Sequence, residues 1–216
     1  MKTIKVFTLV LLAVVFCIQQ ANATNIATGA TVTLNGTFFN GGWAGAIPGN
    51  PQSLTDGVFL PQSWEWDNYT VYWNEWLNTS GTPASIEINL GGPFRIDSFV
   101  VQVDDNDAYK LFYWNENASV WSLAWDVPNY DYYQGQDLWG LQTRPDPTNN
   151  NIVYLLPSPI ETTKLLLMGN DSSSDRLYGV SEIQAYGTPV NETSAMLLLG
   201  SYLVVMVIYR RSSRMK

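Results

Sequence analysis

The feature that most constrains this chain is its hydrophobic period. Apolar residues recur at every second position in short runs, and clusters of Gly, Pro, Asn and Asp separate the runs. Ser85-Ile86-Glu87-Ile88-Asn89-Leu90 alternates cleanly and ends at Gly91-Gly92-Pro93. Further runs cover Thr31 to Phe39, Ile96 to Val103, Tyr109 to Trp114, Val120 to Val127, Ile152 to Leu156, Thr163 to Met168 and Val180 to Tyr186. No twelve-residue window between the two ends keeps a 3.6-residue period. Period-2 runs of this length predict strands, and about eight in one domain predict an all-β sandwich or jelly roll.

The ends read differently. Lys2 and Lys5 precede an apolar stretch, Val6 to Ile18, and Ala21-Asn22-Ala23 offers small residues for cleavage. This predicts a secretory signal over residues 1–23, which would remove the one cysteine, Cys17. The rival is a lipoprotein signal, but Val14-Val15-Phe16 are bulky where a small residue is needed. A second apolar run, residues 195–209, is followed by Arg210, Arg211, Arg214 and Lys216. Its fifteen residues read as a minimal transmembrane helix with the basic end in the cytoplasm.

Charge and composition narrow the function of residues 24–189. This segment holds five basic against eighteen acidic residues, a net −13, within a chain of net −8. A domain so acidic is poorly suited to nucleic acid, whose phosphates call for Lys and Arg, and to other polyanions, and it leaves cations or neutral glycans as the expected partners. The chain has no histidine, which removes Ser-His-Asp triads and His-based metal sites. No Gly-rich phosphate loop or activated nucleophile is visible, so a non-catalytic role is expected.

Two resemblances sharpen this. The tail Thr188-Pro189-Val190-Asn191-Glu192-Thr193-Ser194-Ala195-Met196-Leu197-Leu198-Leu199-Gly200-Ser201, with its apolar run and Tyr209-Arg210-Arg211, resembles a PEP-CTERM sorting tail over 190–216. That family implies a bacterial surface or exopolysaccharide-associated protein processed by an exosortase-type enzyme. Here Asn191-Glu192-Thr193 replaces the Pro-Glu-Pro motif, which leaves retention in the membrane through the C-terminal helix as the alternative to cleavage. Within 24–189, the ordered set Leu54-Thr55-Asp56-Gly57, Ile86 to Gly91, Ile96 to Gln102, Tyr109 to Trp114, Trp121 and Tyr178 to Gly187 resembles the discoidin, or coagulation-factor type C, galactose-binding-like domain. The resemblance implies a jelly-roll β-sandwich of about eight strands, a structural calcium, and ligand binding through loops at one end.

Candidate sites follow. The resemblance places calcium at Asp56 and Glu182, with Ser63 as a hydroxyl ligand; alternatively, Asp56 only forms an Asx-turn with Gly57. Aromatic faces stack on the C–H faces of sugars. The ligand candidates are therefore Trp64 and Trp66, within the aromatic run Trp64 to Trp76, and Trp125, Tyr130, Tyr132, Tyr133 and Trp139 in a polar, loop-like segment. Core packing is the competing reading for each tryptophan, and is expected outright for Tyr109, Tyr113, Trp114 and Trp121. Arg144 is either ion-paired or capping carbonyls, or makes a bidentate ligand contact. Asp104-Asp105-Asn106-Asp107 is a polar turn, a second cation site or a set of sugar contacts. The expected function is carbohydrate or exopolysaccharide binding at the cell surface or in its matrix. A structural matrix protein and a single-pass adhesion protein are the alternatives.

Overall fold

A computed structural model of the chain describes residues 23–129, 140–145, 153–170 and 175–190. The described residues are mostly strand. The strands are β1 (Thr24–Asn25), β2 (Thr31–Asn35), β3 (Ile47–Pro48), β4 (Asn68–Asn74), β5 (Ser85–Asp104), β6 (Tyr109–Asn115), β7 (Val120–Val127), β8 (Leu141–Arg144), β9 (Tyr154–Gly169) and β10 (Leu177–Pro189). Among the described residues helix is confined to two 3-10 turns, Pro51–Thr55 and Glu75–Leu77. Among the described residues no helix is long and apolar enough to cross a membrane. The expected signal and the expected helix over 195–209 lie outside the described residues.

The strands hydrogen-bond in the order β3-β4-β10-β5-β9-β6-β7; β1 also pairs with β10, and β2 and β8 pair with β5. All ladders are antiparallel except β3–β4. One sheet curls into two layers because β5 and β9 serve both. The first part of β5 runs between β2 and the end of β9, with Ile86 opposite Leu34 and Leu167. Its last part runs between β10 and β8, with Val101 opposite Ile183 and Arg144.

The bend falls at Gly91-Gly92-Pro93, where the sequence pattern predicts a strand end. The chain stays in the ladder there. Between the pairs Asn89–Lys164 and Phe94–Thr162 the register shifts, because β5 inserts extra residues. Gly91 takes φ +79°, which costs little without a Cβ, and an irregular position needs no ladder hydrogen bond from Pro93. The runs Ile152 to Leu156 and Thr163 to Met168 likewise meet in one strand, β9, from Tyr154 onward; Ile152 lies outside the described residues.

The layers close on one core. Val32, Ile86, Ile88, Leu111 and Leu165 come from one side; Val71, Trp73, Phe99, Val101 and Ile183 come from the other. Trp73 stacks on Tyr178 at 5.0 Å between centroids and meets Tyr109 edge-on at 6.3 Å. Tyr109 is fully buried and Tyr113 packs against the core, as alternation predicts. Trp114 and Trp121 depart from it. They face each other at 5.3 Å, half-buried on the opposite side of β6 and β7, because Trp114 lies at the opposite parity to Tyr109 and is paired with Trp121.

Candidate functional site

The register brings several loops to the end of the sandwich away from β1. β4 and β5 finish there, β9 also finishes there, and β6 and β10 begin there: Asn74 pairs with Leu177, and Gly169 with Tyr109. The loops interlock. Glu75 N–H donates to Arg176 O at 3.0 Å, Asn170 N–H to Ala108 O at 2.8 Å, and Asn106 Nδ2 to Asp175 Oδ2 at 3.2 Å.

At this end stands an exposed aromatic, Trp76, with 66% of its surface open. It sits in the 3-10 turn capped by Asn74, whose side chain accepts the Trp76 N–H at 2.9 Å. Its indole Nε1 donates to Asp175 O at 3.1 Å. The Arg176 guanidinium lies over the indole, Cζ 4.2 Å from the ring centroid, a cation–π stack. Arg176 adopts φ +59°, a left-handed conformation that costs a non-glycine residue about 1–2 kcal/mol. The result is a fixed platform, half aromatic and half cationic, built on two loops.

A buried polar cluster lies at and just past the C-terminal ends of β5 and β8. Asp104, Asp105, Asp107 and Arg144 are all buried. Arg144 donates to the carbonyls of Asp107 (2.6 Å), Pro128 (2.5 Å), Asp105 (2.9 Å) and Asp104. Its guanidinium also lies 5.7 Å from the Tyr109 ring centroid. Thus, of the readings for Arg144, the geometry matches carbonyl capping. Burial, then the charges of Asp107 and Asp105, hold the Asp104 carboxyl well above the usual carboxylate range. Burial also raises Asp105.

The other ligand candidates are dispersed. Trp125 is buried at 4% exposure and stacks face-to-face on Tyr154, centroids 4.5 Å apart and planes 5° apart. Trp66 is buried at 5%, edge-on to both Trp43 and Tyr72. Neither offers a free face, so both are core residues here. Trp64 is partly open, with Nε1 donating to Asn68 O at 3.0 Å. Tyr130, Tyr132, Tyr133 and Trp139 lie outside the described residues. The site list read from sequence omitted Trp76 and Arg176. Trp76 was one of six aromatics in its run, and exposure, the property that separates it, is set by neighbours distant in sequence. Arg176 had no local motif.

The calcium candidates occupy two places. The segment Gly57 to Gln62 straps across β10, β5 and β8. Gly57 N–H donates to Glu182 Oε1 at 3.0 Å, Leu60 N–H to Gln102 Oε1 at 2.8 Å, and Thr143 N–H to Gln62 Oε1 at 3.0 Å. Asp56 forms the Asx-turn, accepting the Val58 N–H at 2.8 Å. Glu182 is fully buried and its Oε2 has no hydrogen-bond donor. Burial pushes this carboxyl up to about 8, with the charge of Asp56 adding to the rise. A buried oxygen without a donor beside a second carboxylate fits a hard cation. Ser63 does not join them. It is tied to β8, its N–H donating to Leu141 O at 2.8 Å and its Oγ accepting from Gln142 at 3.3 Å. Among the described residues no three His, Cys, Asp or Glu side chains gather to hold a metal. Two pockets flank the strap, one of about 290 Å³ against Asp56 and Tyr69, the other of about 380 Å³ against Gln184 and Tyr186.

No protein-family model matches the sequence, and no curated protein matches it. Solved structures that the chain resembles include carbohydrate-binding modules. The family 32 module of C. perfringens NanJ, solved with galactose, is 15% identical at a TM-score of 0.45, covering 76% of this chain and 98% of its own. The family 32 module of Streptococcus pneumoniae EndoD is 14% identical at 0.42, covering 76% and 99%. Chitosan-binding module 1 of a Paenibacillus sp. IK-5 chitosanase/glucanase is 14% identical at 0.44, covering 76% and 99%. At this level of likeness, the functional reading stands on the chain's own side chains.

Proposed function

We propose that residues 24–189 form a non-catalytic carbohydrate-binding domain whose primary contact is the platform of Trp76 and Arg176. The observation that carries this reading is Trp76 itself. A large apolar ring stands two-thirds exposed, held by hydrogen bonds at its main-chain N–H and its indole nitrogen. Such a ring is pre-organised to stack on the C–H face of a pyranose with little loss of entropy. The hydrogen bond from Asn106 to Asp175 ties the Arg176 loop to the β5–β6 loop and steadies the platform. The two ends of the sequence support export and a place at the cell surface or in an exopolysaccharide matrix. Residues 195–209 would hold the protein in the membrane until an exosortase-type enzyme cuts it.

A structural calcium at Asp56 and Glu182 belongs to the same proposal. A cation there would neutralise two like charges and fix the strap to β10.

The test is a glycan array with the full-length protein in detergent, with and without EDTA, followed by titration of the best ligand into Trp76→Ala. Binding lost in Trp76→Ala supports the reading. A wild-type protein that binds no glycan with or without calcium sinks it and favours a purely structural matrix role.

A further inference from the structure

The Arg176 guanidinium is placed but not used by the fold. Among the described residues none accepts a hydrogen bond from it, and its Cζ lies 4.2 Å from the centroid of the Trp76 ring. This is unexpected for a cation in a domain of net −13, where carboxylates are abundant. Among the described residues, the carboxylates next to it in the two loops are committed elsewhere. Asp175 accepts the Leu177 N–H at Oδ1 (3.0 Å) and Asn106 Nδ2 at Oδ2 (3.2 Å). Glu75 accepts Asn78 Nδ2 at Oε1 (2.7 Å) and the Ala84 N–H at Oε2 (3.3 Å). Glu75 is tied to its own loop by both oxygens, and Asp175 is tied to its own loop by one and to the β5–β6 loop by the other. The one cation beside them keeps its N–H groups for something else.

The backbone supports the same conclusion. Arg176 sits at φ +59°, a conformation with a cost that an arginine serving only as a surface charge would not require. Main-chain pairing of Glu75 N–H with Arg176 O holds it there. Stacked over an indole, a guanidinium keeps its planar fork of donors at the ring's edge, and that fork matches a carboxylate with two parallel hydrogen bonds.

We infer that this platform, a local cation set against the net charge of the domain, selects a sugar bearing a carboxylate, a hexuronate, with Arg176 reading the carboxylate while Trp76 takes the ring. The inference rests on the carbohydrate reading above and narrows its ligand class. A neutral hexose could stack on Trp76 but would leave the fork in water. A hexuronate engages both groups at once.

The experiment uses homo-oligomers of galacturonate, glucuronate and mannuronate, each beside its carboxyl-reduced counterpart, which has the same ring and linkage without the charge. Affinities for full-length protein are measured by calorimetry in EDTA, so that calcium cannot bridge acid to acid. At least one uronate should bind about tenfold or more tighter than its reduced form, the range of a charge-assisted bidentate contact. Arg176→Gln should collapse that ratio toward one, and Arg176→Lys, which keeps the charge without the fork, should restore only part of it. Equal affinity for acid and reduced forms in the wild-type protein overturns the uronate inference and leaves carbohydrate binding standing. That comparison needs no variant to fold. Binding of neither form overturns the uronate inference, and the glycan array then decides the carbohydrate reading.

Discussion

Glu182 Oε1 accepts the amide hydrogen of Gly57 at 3.0 Å, across 125 residues of chain. This bond pins the start of the strap to the middle of β10. It also fixes how the domain responds to pH and to cations.

The Glu182 carboxyl is raised to about 8 by burial, with Asp56 adding and the bonds from Gln184 and Gly57 opposing. In the unfolded chain a glutamate titrates near ~4.3. Between those values the folded protein holds a proton that the unfolded chain has released. Stability is therefore complete below the unfolded value and is lost as pH rises through the folded one. In EDTA, the melting temperature should fall from about pH 5 to about pH 8, and Glu182→Gln should flatten the slope. Millimolar calcium should raise the melting temperature more at the higher pH, where the carboxylate is ionised and can bind it. A calcium-independent melt at both values would remove the metal from this site.

Arg144 gives a sharper stability prediction. Its buried guanidinium serves the carbonyls of Asp104, Asp105, Asp107 and Pro128. Arg144→Ala leaves those acceptors without it and takes a positive charge away from three buried aspartates. The expected loss is about 3–5 kcal/mol by urea unfolding, the range for breaking a buried charged network. Arg144→Lys should recover only part, because an ammonium has no planar fork to reach carbonyls on several sides. A loss below about 1 kcal/mol for Arg144→Ala would contradict this role.

These two sites differ in how far the sequence reveals them. Period-2 alternation identified β6, β7 and the first part of β5, whose faces alternate between core and less buried positions, while β10 alternates in residue type although Tyr178 to Ala185 are all buried. It missed β4, where Thr70 to Trp73 are buried in succession. Phe39 and Trp66 meet Tyr72 on one side while Phe38 packs on Trp73, so both faces are covered and no alternation survives. The same covering hid which aromatics are open. Trp66, Tyr72 and Trp73 are buried, while Trp64, Tyr69 and Trp76 are exposed, and the difference comes from loops far away in sequence. Asp56 and Glu182 could be named from resemblance alone. The pairing of Trp76 with Arg176 spans about a hundred residues and leaves no local pattern.

Two tryptophans separate binding from folding. Trp125 is buried against Tyr154, so Trp125→Ala should cost about 3–5 kcal/mol through lost burial and a residual cavity. Trp76 is exposed, so Trp76→Ala should change stability by no more than about 1 kcal/mol and cut sugar affinity at least about tenfold. Parallel unfolding curves and titrations read both. The platform reading would fail if Trp76→Ala bound glycans normally.

Gly140 tests how the Ser63 turn is docked. Its φ is +78°, and a Cβ built there would lie 2.2 Å from Trp64 O. That oxygen accepts the Leu141 N–H at 2.8 Å, and Ser63 N–H returns the bond to Leu141 O at the same distance. Gly140→Ala must therefore either push the Trp64 turn off β8 or distort the start of the strand. Gly81 is the control, with φ +76° and nothing within 4 Å of an added Cβ. Gly81→Ala should lose only the cost of a left-handed alanine, about 1–2 kcal/mol. Gly140→Ala should lose clearly more and should speed hydrogen exchange at the Ser63 and Leu141 amides, which Gly81→Ala leaves protected. Equal losses in the two variants would mean that the turn yields freely, and Trp64 would then be a mobile aromatic instead of one held by β8.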